Sequence, residues 1–343
     1  MLPYILFYSI LTLTSFGFYK FWTRNKAKNS TLGQKILRGS YHTILIFSFL
    51  LLWTFQIAYL VAPRGSLVYE LIRLPVLIYN LIQIEPQSVE IEKVSYGTDP
   101  KQYLLVCKPK DQPINKDKVI VYIHGGGWHT GSPERNYHMA DVFGQEGYLV
   151  ILMAYRLGPQ NGFYELRSDI DQGFLKAKDI VDNMGLDSTK WVVGGTSAGG
   201  NLAALLVYDR ERLNKLGLQQ KQVFGGFFSL VGALNLDVMP KTIALKNYAG
   251  ETESEQFKAA NPIQHLEASE TLPVLLIHGT NDGLVNYQSS TSFVQALKDR
   301  GNTSVEFHTV NNATHLEVGA QWYYDPSTYH NQRELMLNWL NKL

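Results

Sequence analysis

From about residue 86 onward, short apolar runs alternate with helical patterns, and that alternation limits the possible folds more than any other feature of the chain. The runs KVIVYI, YLVILMAY, KWVVGG, FGGFFSLV and LPVLLIHG are almost unbroken in apolar, β-branched or glycine residues. VSYG, QYLLVCKP and SVEFHTV read as further strands. LRSDIDQGFLKAKDIVDNM, AGGNLAALLVYDRERL, YQSSTSFVQALKDRG and NQRELMLNWLNKL place apolar residues at helical spacing. A strand with one wet face alternates apolar and polar residues, whereas a strand apolar throughout is covered on both faces. The expected fold class is therefore α/β: a mostly parallel central sheet with helices on both faces. In such sheets ligands gather beyond the carboxyl ends of the strands, so function is sought where these strands stop.

The N-terminal quarter differs. Leu2–Tyr19 carries no charge, and neither does Tyr41–Pro63 apart from His42. Each approaches the roughly 20 residues needed to cross a bilayer as a helix. The linker between them carries Lys20, Arg24, Lys26, Lys28, Lys35 and Arg38 with no acid, the mark of a cytoplasmic loop. The expectation is a membrane-anchoring hairpin over residues 1–65, with the remainder on the extracytoplasmic side. The stretch 66–85 is interrupted by Glu70, Arg73 and Pro75, and reads as an amphipathic connecting or lid segment lying against lipid. The globular domain is then expected over residues 86–343, with Leu234–Phe257, carrying Met239 and Tyr248, as a second candidate lid. The net charge of +1 gives no reason to expect a nucleic-acid partner. The single cysteine, Cys107, excludes an internal disulfide and reads as a half-buried strand residue.

Four strand ends carry chemistry. KWVVGG runs directly into Gly195-Thr196-Ser197-Ala198-Gly199 and then a helix. This G-x-S-x-G in strand–turn–helix context lifts one hydroxyl onto a tight, strained turn at a helix N-terminus, and makes Ser197 the candidate nucleophile. YIHGGGWHTGS ends another strand; its three consecutive glycines let backbone N–H groups approach a ligand closely. Acyl transfer needs such donors where a carbonyl oxygen becomes negative, and the N–H groups of Gly126, Gly127 and Ala198 are assigned to that oxyanion hole. His124 is expected to brace the loop rather than shuttle protons. Asp282 lies just past the strand LPVLLIHG, and His315 follows the last strand. The order Ser197, Asp282, His315 is that of nucleophile-elbow hydrolases. The competing His308 falls within a strand, His278 precedes the Asp282 turn, and His330 opens the last helix.

With these motifs, the chain from about Lys118 to Leu343 resembles α/β-hydrolases of the hormone-sensitive-lipase and carboxylesterase type. The resemblance rests on HGGGW, YRLGP, GTSAGGNLA, ANPIQHL, HGTNDGLV and ATH. It implies Ser197, Asp282 and His315 as nucleophile, acid and base, and Gly126, Gly127 and Ala198 as oxyanion donors. It implies Asp169, in LRSDIDQG, as structural support for the loop beneath the site. HGTNDGLV is closer to feruloyl-esterase-like and peptidase-like relatives than to the DPL pattern of hormone-sensitive lipase. The implied fold is the α/β-hydrolase fold, here preceded by N-terminal hydrophobic helices. The implied activity is hydrolysis of carboxylic esters through an acyl-enzyme, with no cofactor or metal; the adjoining membrane hairpin, by its position, suggests lipophilic or medium-chain acyl substrates. The alternatives are an amidase or peptidase on the same triad, and a non-catalytic binding module of this fold. The expected partners are a small ester substrate and, through the N-terminal segments, the lipid bilayer.

Overall fold

The computed structural model describes residue 16 and residues 32–115, 117–186, 190–323 and 331–343. It divides into two compact units, residues 1–62 and 63–343. Except for Phe16, the first apolar run lies outside the described residues, as does His330. The second run falls on a 30-residue helix, α1 (Leu32–Val61). Many side chains of α1 are also outside the described set, and among the described residues no helix is long and apolar enough to cross a membrane.

The larger unit begins with α2 (Leu67–Ile82), capped by the Ser66 hydroxyl, which accepts the N–H of Tyr69 at 3.2 Å. The residues expected to connect or cover the domain thus form a continuous helix, running through Pro75, inside this unit. Leu77 and Leu81 bury one face of α2 against Leu316 and Ala320.

Eight strands follow: β1 (Val89–Ser95), β2 (Tyr103–Pro109), β3 (Lys118–Ile123), β4 (Leu149–Met153), β5 (Lys190–Thr196), β6 (Phe224–Leu230), β7 (Val274–Gly279) and β8 (Val305–Val310). They form one sheet in the order β1-β2-β4-β3-β5-β6-β7-β8. β2 runs antiparallel to both of its neighbours, β1 and β4; every pair from β4 to β8 is parallel. The helices that position the site are α3 (Tyr137–Gly144), α4 (Phe163–Asn183), α5 (Ala198–Tyr208), α6 (Ile243–Ala249), α7 (Gln288–Asp299), α8 (His315–Gly319) and α9 (Gln332–Leu340).

Alternate residues of the same strands feed two separate cores. Val119, Val121 and Ile123 pack with Phe174 of α4, Leu202 of α5 and Phe293 of α7. Ile120 and Tyr122 pack on the opposite face with Phe143 of α3 and Trp339 of α9. The continuous apolar runs are thus explained: both faces of each strand are covered. Cys107 shares this fate and is fully buried rather than half-buried, with burial pushing its thiol far above the ordinary range.

The parallel register brings the strand ends together. Ile123 pairs with Gly195, Thr196 with Leu230, Leu230 with Ile277, and Gly279 with Val310. The loops that follow all leave the same rim.

Asp169 of α4 secures one of those loops. Its fully buried carboxylate accepts the Arg156 N–H at 2.8 Å, the Arg156 Nη2 at 2.7 Å and the Gln102 Nε2 at 2.7 Å. Removing it leaves a guanidinium, an amide and a backbone N–H without their acceptor. Asp169→Ala is expected to cost about 3 kcal/mol. In a unit of this size that lowers the thermal midpoint by about 8 °C, measured by circular dichroism.

Candidate active site

The β5–α5 junction holds Ser197 in the left-handed region, at φ 57° and ψ −120°. For a residue with a side chain this conformation costs about 1–3 kcal/mol, so its surroundings must hold it there. The Ser197 N–H donates to the Leu230 carbonyl at 3.0 Å, and its carbonyl accepts from Asn201 at 3.2 Å and Ala233 at 3.3 Å. The flanking glycines are required by contact. A Cβ on Gly195 would lie 2.5 Å from the Ile123 carbonyl oxygen, and one on Gly199 2.5 Å from that of His124. Thr196 and Ser197 are partly exposed while Ala198, Gly199 and Gly200 are buried.

The His124–Gly127 loop passes beside it. A Cβ on Gly125 would stand 3.3 Å from the Ser197 Cβ. Gly126 and Gly127 both adopt positive φ, 126° and 59°, conformations that glycine supplies at low cost. Ala198 opens α5, so its N–H has no carbonyl one turn earlier in the helix.

His124 is buried; its Nδ1 lies 2.8 Å from the Gly125 carbonyl oxygen and its ring stacks on Tyr155 at 4.3 Å. The Tyr155 hydroxyl donates to the His124 carbonyl at 2.9 Å. Burial lowers the pKa of His124 to about 4, leaving a neutral ring that supports the loop.

Asp282 and His315 meet directly. The Asp282 Oδ2 lies 2.7 Å from the His315 Nδ1, which fixes the Nδ1–H tautomer and leaves Nε2 as the basic nitrogen. The other Asp282 oxygen accepts the N–H groups of Leu284 and Val285 at 2.9 and 2.8 Å. Burial alone would raise the Asp282 carboxyl; the His315 charge and hydrogen bonds from His278 and His315 outweigh it and hold the carboxyl well below the usual range. For His315, burial favours the neutral ring, but the charge and hydrogen bond of Asp282, together with Glu70, more than offset it and raise the pKa.

Ser197 and His315 are brought to one rim without a direct hydrogen bond between them among the described residues. The helix that begins at His315 ends against the residue before Ser197: the Thr196 hydroxyl is 3.5 Å from the Gly319 carbonyl oxygen. Such pairs commonly tighten only when substrate binds.

Three contributors were not recognised in the sequence. His278, set aside as a rival base, places its Nε2 3.1 Å from the Asp282 Oδ2 and its Nδ1 2.7 Å from the Ser290 hydroxyl. Its spacing of four from Asp282 was the available signal. Asn201, the residue after Gly200, is buried and donates to the carbonyls of Ala233 and Ala260 at 3.0 and 3.1 Å. It accepts the Tyr248 hydroxyl at 2.7 Å, and Tyr248 stacks on Trp128 at 4.3 Å. The candidate lid therefore sends a buried anchor from α6 onto the His124–Trp128 loop. Glu70, the third, approaches the backbone of His315 from α2. Among the described residues no group of three or more His, Cys, Asp or Glu is placed to hold a metal ion.

The parallel sheet, the strained serine between β5 and α5, and an Asp–His pair on the loops after β7 and β8 define an α/β-hydrolase fold. The crystal structure of esterase B from Lactobacillus rhamnosis has this architecture, with a TM-score of 0.62 at 20% identity over 78% of this chain and 90% of that one. Residues 106–297 match the BD-FAE family, and the chain belongs to that family. Esterase LipC of Mycobacterium tuberculosis is 26% identical over 66% of this chain and 60% of its own length. A probable isoprenylcysteine alpha-carbonyl methylesterase of Oryza sativa is 24% identical over 67% and 59%. The chain thus spans about three-fifths of these relatives.

If the chain hydrolyses esters through Ser197 and His315, the raised pKa of His315 has a direct kinetic consequence. The ring must be neutral to accept a proton, and it is protonated as pH falls through its pKa. The acid limb of kcat/KM is therefore expected above the ordinary histidine value of 6.5. On the same condition, Asp282→Asn, which frees the tautomer, should lower kcat for ester hydrolysis by about 10⁴-fold.

Proposed function

We propose that the chain is a serine hydrolase that cleaves carboxylic esters through an acyl-enzyme. The observation that carries this reading is the strained Ser197 set beside the triple-glycine loop, at the rim where Asp282 orients His315. The esterase names of its relatives support it.

In this reading His315 Nε2 takes the Ser197 proton as Oγ bonds to the ester carbonyl carbon. The carbonyl oxygen becomes an oxyanion, received by the N–H groups of Gly126, Gly127 and Ala198. Asp282 stabilises the imidazolium without taking its proton. The C–O bond to the leaving alcohol then breaks, and His315 Nε2–H protonates that alcohol. Water, deprotonated by His315, attacks the acyl-enzyme; the acid leaves and Ser197 regains its proton.

The substrates are inferred to be lipophilic esters that partition into a bilayer, with the catalytic unit attached to the membrane on its extracytoplasmic side. Support for this comes from the uncharged run 41–63 and from the outer face of α2, where Leu67, Val68, Leu71, Tyr79 and Ile82 are each about half exposed. That is an unusual apolar surface for one helix in water.

Wild-type protein should be labelled by a fluorophosphonate probe and Ser197→Ala should not, read by gel fluorescence; an unlabelled, folded wild type would instead support the binding-module reading. Medium-chain acyl esters should be turned over faster than acetyl esters in the presence of lipid vesicles, and the full chain should sediment with those vesicles. A flat chain-length profile or protein left in the supernatant would remove the lipid part of the reading.

A further inference from the structure

One buried carboxylate is not used by this chemistry. Glu70, in the first turn of α2, is fully buried. Its Oε1 accepts the His315 N–H at 2.8 Å and the Gly283 N–H at 3.4 Å, and its Oε2 accepts the Leu316 N–H at 3.4 Å. Gly283 follows the acid and His315 is the base, so one side chain joins both loops from outside the matched family region.

The backbone before α2 is shaped to the same loops. A Cβ on Gly283 would lie 2.6 Å from the Gly65 carbonyl oxygen and 2.7 Å from the Ser66 carbonyl carbon. Arg64 donates to the Asn312 carbonyl at 3.2 Å and pairs with Glu317 at 2.7 Å. Glu317 in turn accepts the Thr314 N–H at 2.8 Å, in the residue before the base.

We propose that Glu70 is a positioning residue for His315: its carboxylate holds the acid and base loops together, and its charge favours the imidazolium formed during acyl transfer. This rests on the hydrolytic reading above. The charged and titratable groups around the pair come from every packed element: Asp282 and His278 from β7 and its loop, Glu317 from α8, Arg64 ahead of α2, and Tyr69 and Arg73 on α2. Arg64 is engaged by Glu317, and Arg73 lies over the Tyr69 ring at 3.5 Å. Glu70 and Asp282 are thus the two carboxylates acting on the imidazole. Burial, with the nearby Asp282 charge, holds the Glu70 carboxyl above the usual carboxylate range, and the His315 charge and the amide donors offset only part of that rise.

The test is steady-state ester hydrolysis across pH by the full chain, comparing wild type, Glu70→Gln and Glu70→Asp. Glu70→Gln keeps an acceptor for the His315 N–H but loses the charge. Its kcat should fall about tenfold with KM within about twofold, a part of what general base catalysis contributes. Its acid limb should move down by about half a pH unit as one stabilising charge is lost. Glu70→Asp keeps the charge one methylene further away, so its acid limb should stay close to that of wild type while kcat falls severalfold. A purely structural role would lower the thermal midpoint of both variants with kcat and acid limb unchanged, and that result overturns the proposal. If circular dichroism shows Glu70→Gln unfolded, Glu70→Asp decides alone, and wild-type kcat there overturns the proposal. Wild type that is folded but neither labelled nor active removes the hydrolytic reading and this inference with it; active wild type matched by both variants removes only this inference.

Discussion

The site depends on one close approach: the turn carrying Ser197 is pressed against the ends of β3 and β6, and only glycine fits at its flanks. Gly195 and Gly199 meet the carbonyls of Ile123 and His124, while the Leu230 carbonyl takes the Ser197 N–H. Each contact joins the β5 turn to a neighbouring strand end, so the sheet register and the serine conformation are the same constraint seen at two scales. Two cores, one on each face, make the strand positions rigid enough to hold a backbone of about 1–3 kcal/mol strain.

Charge at the rim is organised around that strain. His124 is kept neutral by burial beneath the glycine loop, whereas His315 is kept basic by a buried carboxylate on its ring. Two histidines in equally buried places thus have opposite tendencies, and the difference is the partner. His124 faces a carbonyl oxygen and a tyrosine ring; His315 faces Asp282 and, through its backbone, Glu70. α2 matters for this reason: it lies far from the elbow in the chain, yet it brings a buried carboxylate to the loop that carries His315.

The parallel strands, the elbow and the Asp–His pair were legible because each obeys a local rule: unbroken apolar runs, glycines around a hydroxyl, polar residues just past strand ends. Their strand boundaries shifted by only a few residues. What could not be read was whatever depends on long-range packing. Glu70 looked like an interruption in an apolar segment; it is buried where it accepts from three amides 213, 245 and 246 residues away. Tyr248 looked like a lid residue; its ring is held by Trp128 and its hydroxyl by Asn201. His278 looked redundant until the turn folded Asp282 back onto it. A polar residue in an apolar setting announces that a partner exists but not where it is.

The position of Cys107 has a further consequence. The chain's one sulfhydryl, on β2, is enclosed in the core that holds Tyr122, Phe143 and Trp339, protonated and shielded from solvent oxidants. Its covalent architecture is therefore the same under glutathione-buffered conditions and under conditions that oxidise exposed thiols. With a single buried cysteine, the described fold owes none of its stability to an internal cross-link that a reductant could remove.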